Sequence, residues 1–240
     1  MKSKLDYLPL YAQVRAQIIA RVASSEWLAH EALPSEIALA EMFAVSQGTV
    51  RKALTELCAE GWLYRQQGRG TFVAPSVSEW GEGMLVSPGG FSERADAPHI
   101  ELLGCSRGHA AEEVAEVLGL RRGAPVYRIR QLWRLHGTPV ALDDSYTSAE
   151  RFPDLDARRL RGSEGRLYSV MEQQYGVKLC LKSLLLRALL PDREASSLLQ
   201  LNESEPVLSQ VRIAENWSGE ALEWRHRLCR SARWAWRITL

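Results

Sequence analysis

The chain has 240 residues, 46% hydrophobic and 25% charged, a soluble globular composition long enough for two ordinary domains. Its formal net charge of +1 excludes a protein that is basic overall, so any nucleic-acid site has to be a local patch. No apolar run reaches the roughly 18 residues of a membrane span, the opening MKSKLDYLPL lacks the apolar centre of a signal peptide, and the scattered cysteines contain no C-x-x-C pair. A cytoplasmic protein without metal or cofactor is expected.

Taken in chain order, residues 9–27 place Tyr11, Val14, Ile18 and Val22 at helical spacing behind Pro9, which suits a first turn. In LPSEIALAEMF, Ser35 is the expected N-cap of a short second helix, with Glu36 in its first turn and Ile37, Leu39, Ala40 and Phe43 as its apolar stripe. Ser46 is expected to cap a third helix that buries Val50, Ala53, Leu54 and Leu57 and stops at Gly61. The stretch GWLYRQQGRGTFV alternates around a glycine-flanked turn and predicts a β-hairpin. Three helices followed by a hairpin make a winged helix-turn-helix.

Residues 74–90 are rich in Pro, Ser and Gly without periodicity and read as a linker. Beyond them strands are expected near residues 101–106, in PVYRIRQLWRL, VALDDSYT and VKLCLKSLLLRALL, and in a last hairpin from VLSQVRIAE to ALEWRHRL. Helices are expected at AAEEVAEVLGL, LYSVMEQQYG and REASSLLQL. Long antiparallel strands with a few helices define an α+β domain. The division is 1–75 for the DNA-binding domain, 76–90 for the linker and 91–240 for the second domain.

In a helix-turn-helix the second helix of the motif enters the major groove by its N-terminal end. Here that end carries Ser46, Gln47, Gly48 and Thr49, small enough for close approach, then Arg51, which can be bidentate to a guanine, and Lys52, a candidate phosphate contact. A lone arginine would ordinarily do no more than solvate a helix. The wing tip QGRGT, with Arg69 between Gly68 and Gly70, changes that balance, because it suits a hairpin pressed on DNA.

Over residues 9–73 the sequence resembles the N-terminal domain of GntR-family bacterial transcription regulators. That resemblance implies DNA contact by Ser35, Ser46, Gln47, Thr49, Arg51, Arg69 and Gly70. Gln47, Gly48 and Ile37 depart from the family's more basic usage, which bears on the operator sequence and not on contact itself. Residues 91–230, through FSE, HGTPVALDDSY, FPDL, LYSVMEQQYG and GEALEWRHR, are similar to the UTRA effector-binding domain of the HutC subfamily, with its chorismate-lyase-like antiparallel sheet. The resemblance implies a pocket for a small anionic metabolite.

Alternation in VYRIRQLWRL puts Tyr127, Ile129, Gln131, Trp133 and Leu135 on one face, taken as inward. Gln131 and Trp133 stand where the subfamily usually has an arginine pair, so its bidentate anion clamp is missing. Arg225 and Arg227 replace small polar residues on the face that also carries Glu223, and Arg166 replaces a usual serine. The expectation is that positive charge has moved to the opposite wall. An anion would be held by Arg225 and Arg166, with a flat or cationic part on Trp133, oriented by Asp143, Ser145, Tyr168 and Glu223. Phe91, Ser92 and Gln131 complete the expected effector site. The alternative at the same residues is that Trp133 fills core and the arginines pair with Asp143, Asp144 or Glu223.

A ligand-responsive repressor is expected, working as a homodimer on a pseudo-palindromic duplex because one winged helix reads only a half-site. The competing readings are a DNA-tethered lyase-like enzyme, for which no nucleophile–base pair is visible, and a regulator whose pocket is degenerate.

Overall fold

The computed structural model describes residues 8–24, 26–74, 84–86, 98–202, 204–216, 218–232 and 235–237. The chain divides into two compact units, one comprising Met1–Ser76 with the short segments Glu172–Lys178 and Asn216–Ser218, the other comprising the rest.

The first unit begins with α1 (Leu10–Ala23), α2 (Glu36–Met42) and α3 (Gln47–Ala59), followed by β1 (Leu63–Gln66) and β2 (Gly70–Val73). The caps that sequence places at Ser35 and Ser46 form: each hydroxyl accepts a backbone N–H three residues on, from Ala38 and Thr49, both at 3.2 Å. Helix α1 is shorter than expected, because the backbone turns at Ser24 and the Glu26 N–H reaches back to the Arg21 carbonyl at 2.9 Å. Val14, Ile18, Leu39, Val50, Leu54, Leu57 and Trp62 close one core among the three helices and the hairpin. The β1–β2 turn uses Gly68 at φ +74° and Gly70 at φ +122°, backbone states that other residues adopt only with strain.

In the second unit, β3 (Met84–Val86) pairs antiparallel with β10 (Ala235–Arg237). Three residues of the stretch expected to be a linker are thus a strand. The remaining strands are β4 (His99–His109), β5 (Pro125–Leu135), β6 (Thr138–Ser148), β7 (Cys180–Leu189), β8 (Val207–Glu215) and β9 (Ala221–Arg230). They form one antiparallel sheet in the order β4-β5-β6-β9-β8-β7. Its helices are α4 (Glu112–Val117), α5 (Ala157–Gly162), α6 (Leu167–Tyr175), which belongs to this unit as far as Met171, and α7 (Arg193–Leu199). The sequence reading did not include α5, which is six residues long and capped by Asp156.

The sheet is covered on both faces, which is why β5 buries Val126 and Leu132 as well as Ile129, Gln131 and Trp133. One face is apolar. Leu132, Leu142 and Val207 pack with Ala195 and Leu199 of α7, and Val126 and Trp224 pack with Val114 of α4. The opposite face is polar at its centre, where residues of four strands stand in register. One row is Gln131, Asp143, Arg227 and Gln210; the next is Ile129, Ser145, Arg225 and Arg212.

Candidate nucleic-acid interface and effector site

The exposed N-terminal end of α3 carries Ser46, Gln47 and Gly48, with Thr49 half-buried behind them. Ser46 Oγ lies 2.8 Å from Thr49 Oγ1, so the two hydroxyls hold each other while Ser46 caps the helix. Arg51 follows one turn later and is exposed, but its guanidinium is not idle: Nε and Nη2 donate to Glu36 Oε2 at 3.0 and 2.8 Å. The Gln47 amide donates to the same oxygen at 3.3 Å. These hydrogen bonds from Arg51 hold the Glu36 carboxyl below its ordinary range.

Between α2 and the hairpin runs a groove of about 540 Å³ lined by Ser35, Glu36, Arg65, Arg69 and Gly70, so the wing tip and the start of α2 share one edge. Arg69 lies 5.9 Å over the Phe72 ring. Lys52 is drawn elsewhere, its ammonium 3.7 Å over Tyr11 of α1. Glu36 is the residue here that sequence reasoning left among ordinary first-turn acids. Its partners lie 11 and 15 positions away on another helix.

On the polar face of the sheet the structure brings Gln131, Trp133, Asp143, Ser145, Tyr168, Glu223 and Arg225 together, all buried. Arg227 grips Asp143 with both ends of its fork, Nε and Nη2 each at 2.7 Å from a carboxylate oxygen. Arg225 reaches Asp143 Oδ2 at 3.2 Å with Nη1 and Glu223 Oε1 at 2.7 Å with Nε. The Tyr168 hydroxyl donates to Glu223 and accepts from Arg212 Nη2 at 2.7 Å. Trp133 Nε1 donates to Asp143 Oδ2 at 2.9 Å.

Burial alone would raise the Asp143 carboxyl, but Arg227 and Arg225 hold it below the carboxylate range. Burial also pushes the Tyr168 hydroxyl well above its usual range, so it stays a neutral donor.

These contacts correct several expectations. The Trp133 ring, expected to stack on a ligand, instead lies under the Arg227 guanidinium at 4.7 Å. Arg225, expected to grip an anion, has carboxylates on both sides, as the alternative reading of these residues held. Arg166 does not join the face: it is exposed and lies 3.3 Å from Glu164. Phe91 and Ser92 lie outside the described residues. Arg212 and Gln210 join the face although the sequence reading did not single them out; alternation in VLSQVRIA, applied as it was to β5, would have found both.

The lid over this face is the α5–α6 connection. Gly165, at φ +79°, accepts from the Gln131 amide through its carbonyl, and a Cβ there would meet Ile100 Cγ2 at 2.6 Å. On the same face Ser145 Oγ, Gln131 Oε1 and Gln210 Nε2 are buried with no hydrogen-bond partner among the described residues.

A capped recognition helix beside a glycine-tipped wing, and an antiparallel sheet with a polar inner face, define a two-part DNA-binding regulator. The comparisons agree. Residues 10–73 match the profile of bacterial regulatory proteins of the gntR family, and residues 93–235 match the UTRA domain. The chain is 27% identical to the HTH-type transcriptional repressor NagR of Bacillus subtilis, over 97% of this chain and 95% of that protein. It is 30% identical to the histidine utilization repressor of Pseudomonas putida, over 88% of this chain and 83% of that protein. Among solved structures, the ligand-binding domain of a GntR-family transcriptional regulator from Bordetella bronchiseptica superposes with a TM-score of 0.60 at 26% identity, covering 66% of this chain and 96% of that one. The chain belongs to the GntR family of bacterial transcription regulators, in the branch that carries a UTRA domain, and is a regulator rather than an enzyme. Among the described residues, no helix is long and apolar enough to cross a membrane.

Proposed function

We propose that the protein is a cytoplasmic repressor that binds a pseudo-palindromic operator as a homodimer and is controlled by an anionic metabolite. In this reading residues 1–75 contact DNA, 76–90 connect, and 91–240 take the effector. The observation that carries the DNA half is that the start of α2, which lines a groove with the wing, also holds Gln47 and Arg51 of α3 through Glu36. Arg51 reads a base, Ser35, Ser46, Gln47 and Thr49 meet the duplex at the helix ends, and Arg69 and Gly70 meet backbone. The homodimer is supported by β7, a sheet edge with Leu185 57% exposed and Leu190 just beyond it 62% exposed, a surface that a second copy would cover.

The effector half is supported by charge and donors on the polar face: the guanidinium groups of Arg212, Arg225 and Arg227 against the carboxylates of Asp143 and Glu223, with Ser145 and Gln210 offering unmatched donors. An anion fits that balance. The test is thermal melting of the full chain with inorganic phosphate, sugar phosphates and carboxylic acids. At least one anion should raise the melting temperature of the wild type and fail with Ser145→Ala/Gln210→Leu. If no anion does so, the second reading holds, a closed structural network, which the two-pronged grip of Arg227 on Asp143 favours.

A further inference from the structure

The Arg51 guanidinium has two donor edges, a side fork made by Nε and Nη2 and an end fork made by Nη1 and Nη2. Glu36 takes the side fork. The end fork points away from the pair on a side chain 59% exposed. A guanine presents O6 and N7 as a matched acceptor pair, and an end fork suits it. Gln47, the neighbouring polar side chain on the reading edge, is held by the same oxygen of Glu36.

We infer that Glu36 is a specificity-determining positioning residue: it fixes the side fork of Arg51, and with it Gln47, so that the end fork meets a base edge and not a phosphate. The inference rests on reading Arg51 as a base contact. Three physical consequences follow from the arrangement. Arg51 loses less rotamer freedom on docking, because the free protein already holds it. The fork geometry is set before the duplex arrives, which favours a planar two-acceptor partner over a phosphate approached from any side. The carboxylate itself repels phosphates, so an unmatched duplex meets a penalty that a guanine at the end fork offsets. The Glu36 carboxyl is held ionised by the hydrogen bonds from Arg51, so that repulsion persists at neutral pH.

The experiment uses the full chain. Wild type is taken through selection from a random duplex library, and the selected duplex is titrated beside a shuffled duplex of the same composition. Glu36→Gln should bind the shuffled duplex several-fold tighter and lower the ratio of selected to shuffled affinity by roughly tenfold. Its own selection should lose the base preference at the position that Arg51→Ala also loses. Glu36→Asp keeps the charge but not the reach, so it should blur the same base while leaving shuffled binding near wild type. In an Arg51→Ala background Glu36→Gln should leave the ratio unchanged. Melting curves of each variant report folding, and the base-resolved preference is independent of them. The inference is overturned if Glu36→Gln shifts both duplexes by the same factor with its base preference intact, which would make Glu36 only a bulk charge. It is overturned too if the ratio falls equally with and without Arg51. A wild type that selects no sequence would instead remove the base-reading role of Arg51, and this inference with it.

Discussion

The molecule holds arginines against carboxylates in two ways. On the surface of the N-terminal unit Arg51 and Glu36 meet in water, their side chains 59% and 27% exposed. On the polar face of the sheet Arg225 and Arg227 meet Asp143 and Glu223 with at most 2% exposure on any of the four. The distances are alike, but solvent decides what each pair can do. An exposed pair is screened and adds little to stability, and its arginine keeps a second donor edge open to another acceptor. A buried pair has given up its hydration, and removing one partner strands the other. The first arrangement suits recognition and the second suits shape.

That contrast is broken most directly at Asp143. Asp143→Ala removes the carboxylate that Arg227 and Arg225 both reach in the interior and should destabilise the folded chain by about 3–5 kcal/mol, read by urea unfolding. Parent-like stability would show that water reaches these arginines. The same carboxyl sets an acid limit. Its folded pKa is lowered, so the stability it contributes is complete above the ordinary carboxylate pKa of about 4 and is lost as pH falls through the folded value. Urea midpoints measured downward from pH 5 should fall more steeply in the parent than in Asp143→Ala.

A smaller effect is expected at the lid. Gly165→Ala puts a Cβ against Ile100 at a φ of +79°, and should cost about 1–3 kcal/mol. Ile100→Ala in the same chain should recover only the part due to contact, because the backbone strain remains. If Gly165→Ala melts like the parent, the lid does not press on the sheet.

On the other side of the comparison, Arg51→Ala should lose roughly ten- to a hundredfold in affinity for the selected duplex with no shift in melting temperature. A melting shift as large as that of Gly165→Ala would place Arg51 with the structural pairs. The smallest changes belong to the backbone contacts. Arg69→Ala should weaken all duplexes by a similar few-fold and flatten the salt dependence by about one counterion, measured by anisotropy across a salt series. Lys52→Ala should do less than Arg69→Ala, because its ammonium already sits on Tyr11.

The two regions also differed in how far they could be read from sequence. The N-terminal unit is written in local signals. Ser35, Ser46 and Gly61 mark helix ends within a few residues of the apolar stripes they bound, so its elements were legible. The strands of the second unit were legible by alternation, but the expectation that Arg225 stands on a wall opposite Gln131 is overturned: β6 pairs with both β5 and β9 and brings Gln131, Asp143, Arg225 and Arg227 onto one sheet face. Which residues oppose one another was not legible either. Asp143 meets Arg227 because β6 pairs with β9, a register between strands distant in sequence that no single-strand pattern encodes. Helix α5 escaped because ARRLRG buries only Leu160 and so has no periodic stripe. The β3–β10 pair escaped because each strand has three residues and its partner lies at the other end of the unit.

The row Gln131–Asp143–Arg227–Gln210 bears on how such a regulator could acquire a new ligand over generations. A chain with about 5–15 kcal/mol of stability cannot readily pass through an intermediate that lacks one member of a buried ion pair. Neighbouring members of one network are also not additive, so a loss at Asp143 should cost less once Arg227 is already gone, although Arg225 and Trp133 still lose an acceptor. Diversification of this face is therefore expected by paired replacements, or first at Ser145 and Gln210, where a change breaks no bond to another described residue. The N-terminal edge carries no such restriction. Arg51 and Gln47 can drift singly, so operators would diverge by small steps while ligand preferences change in jumps.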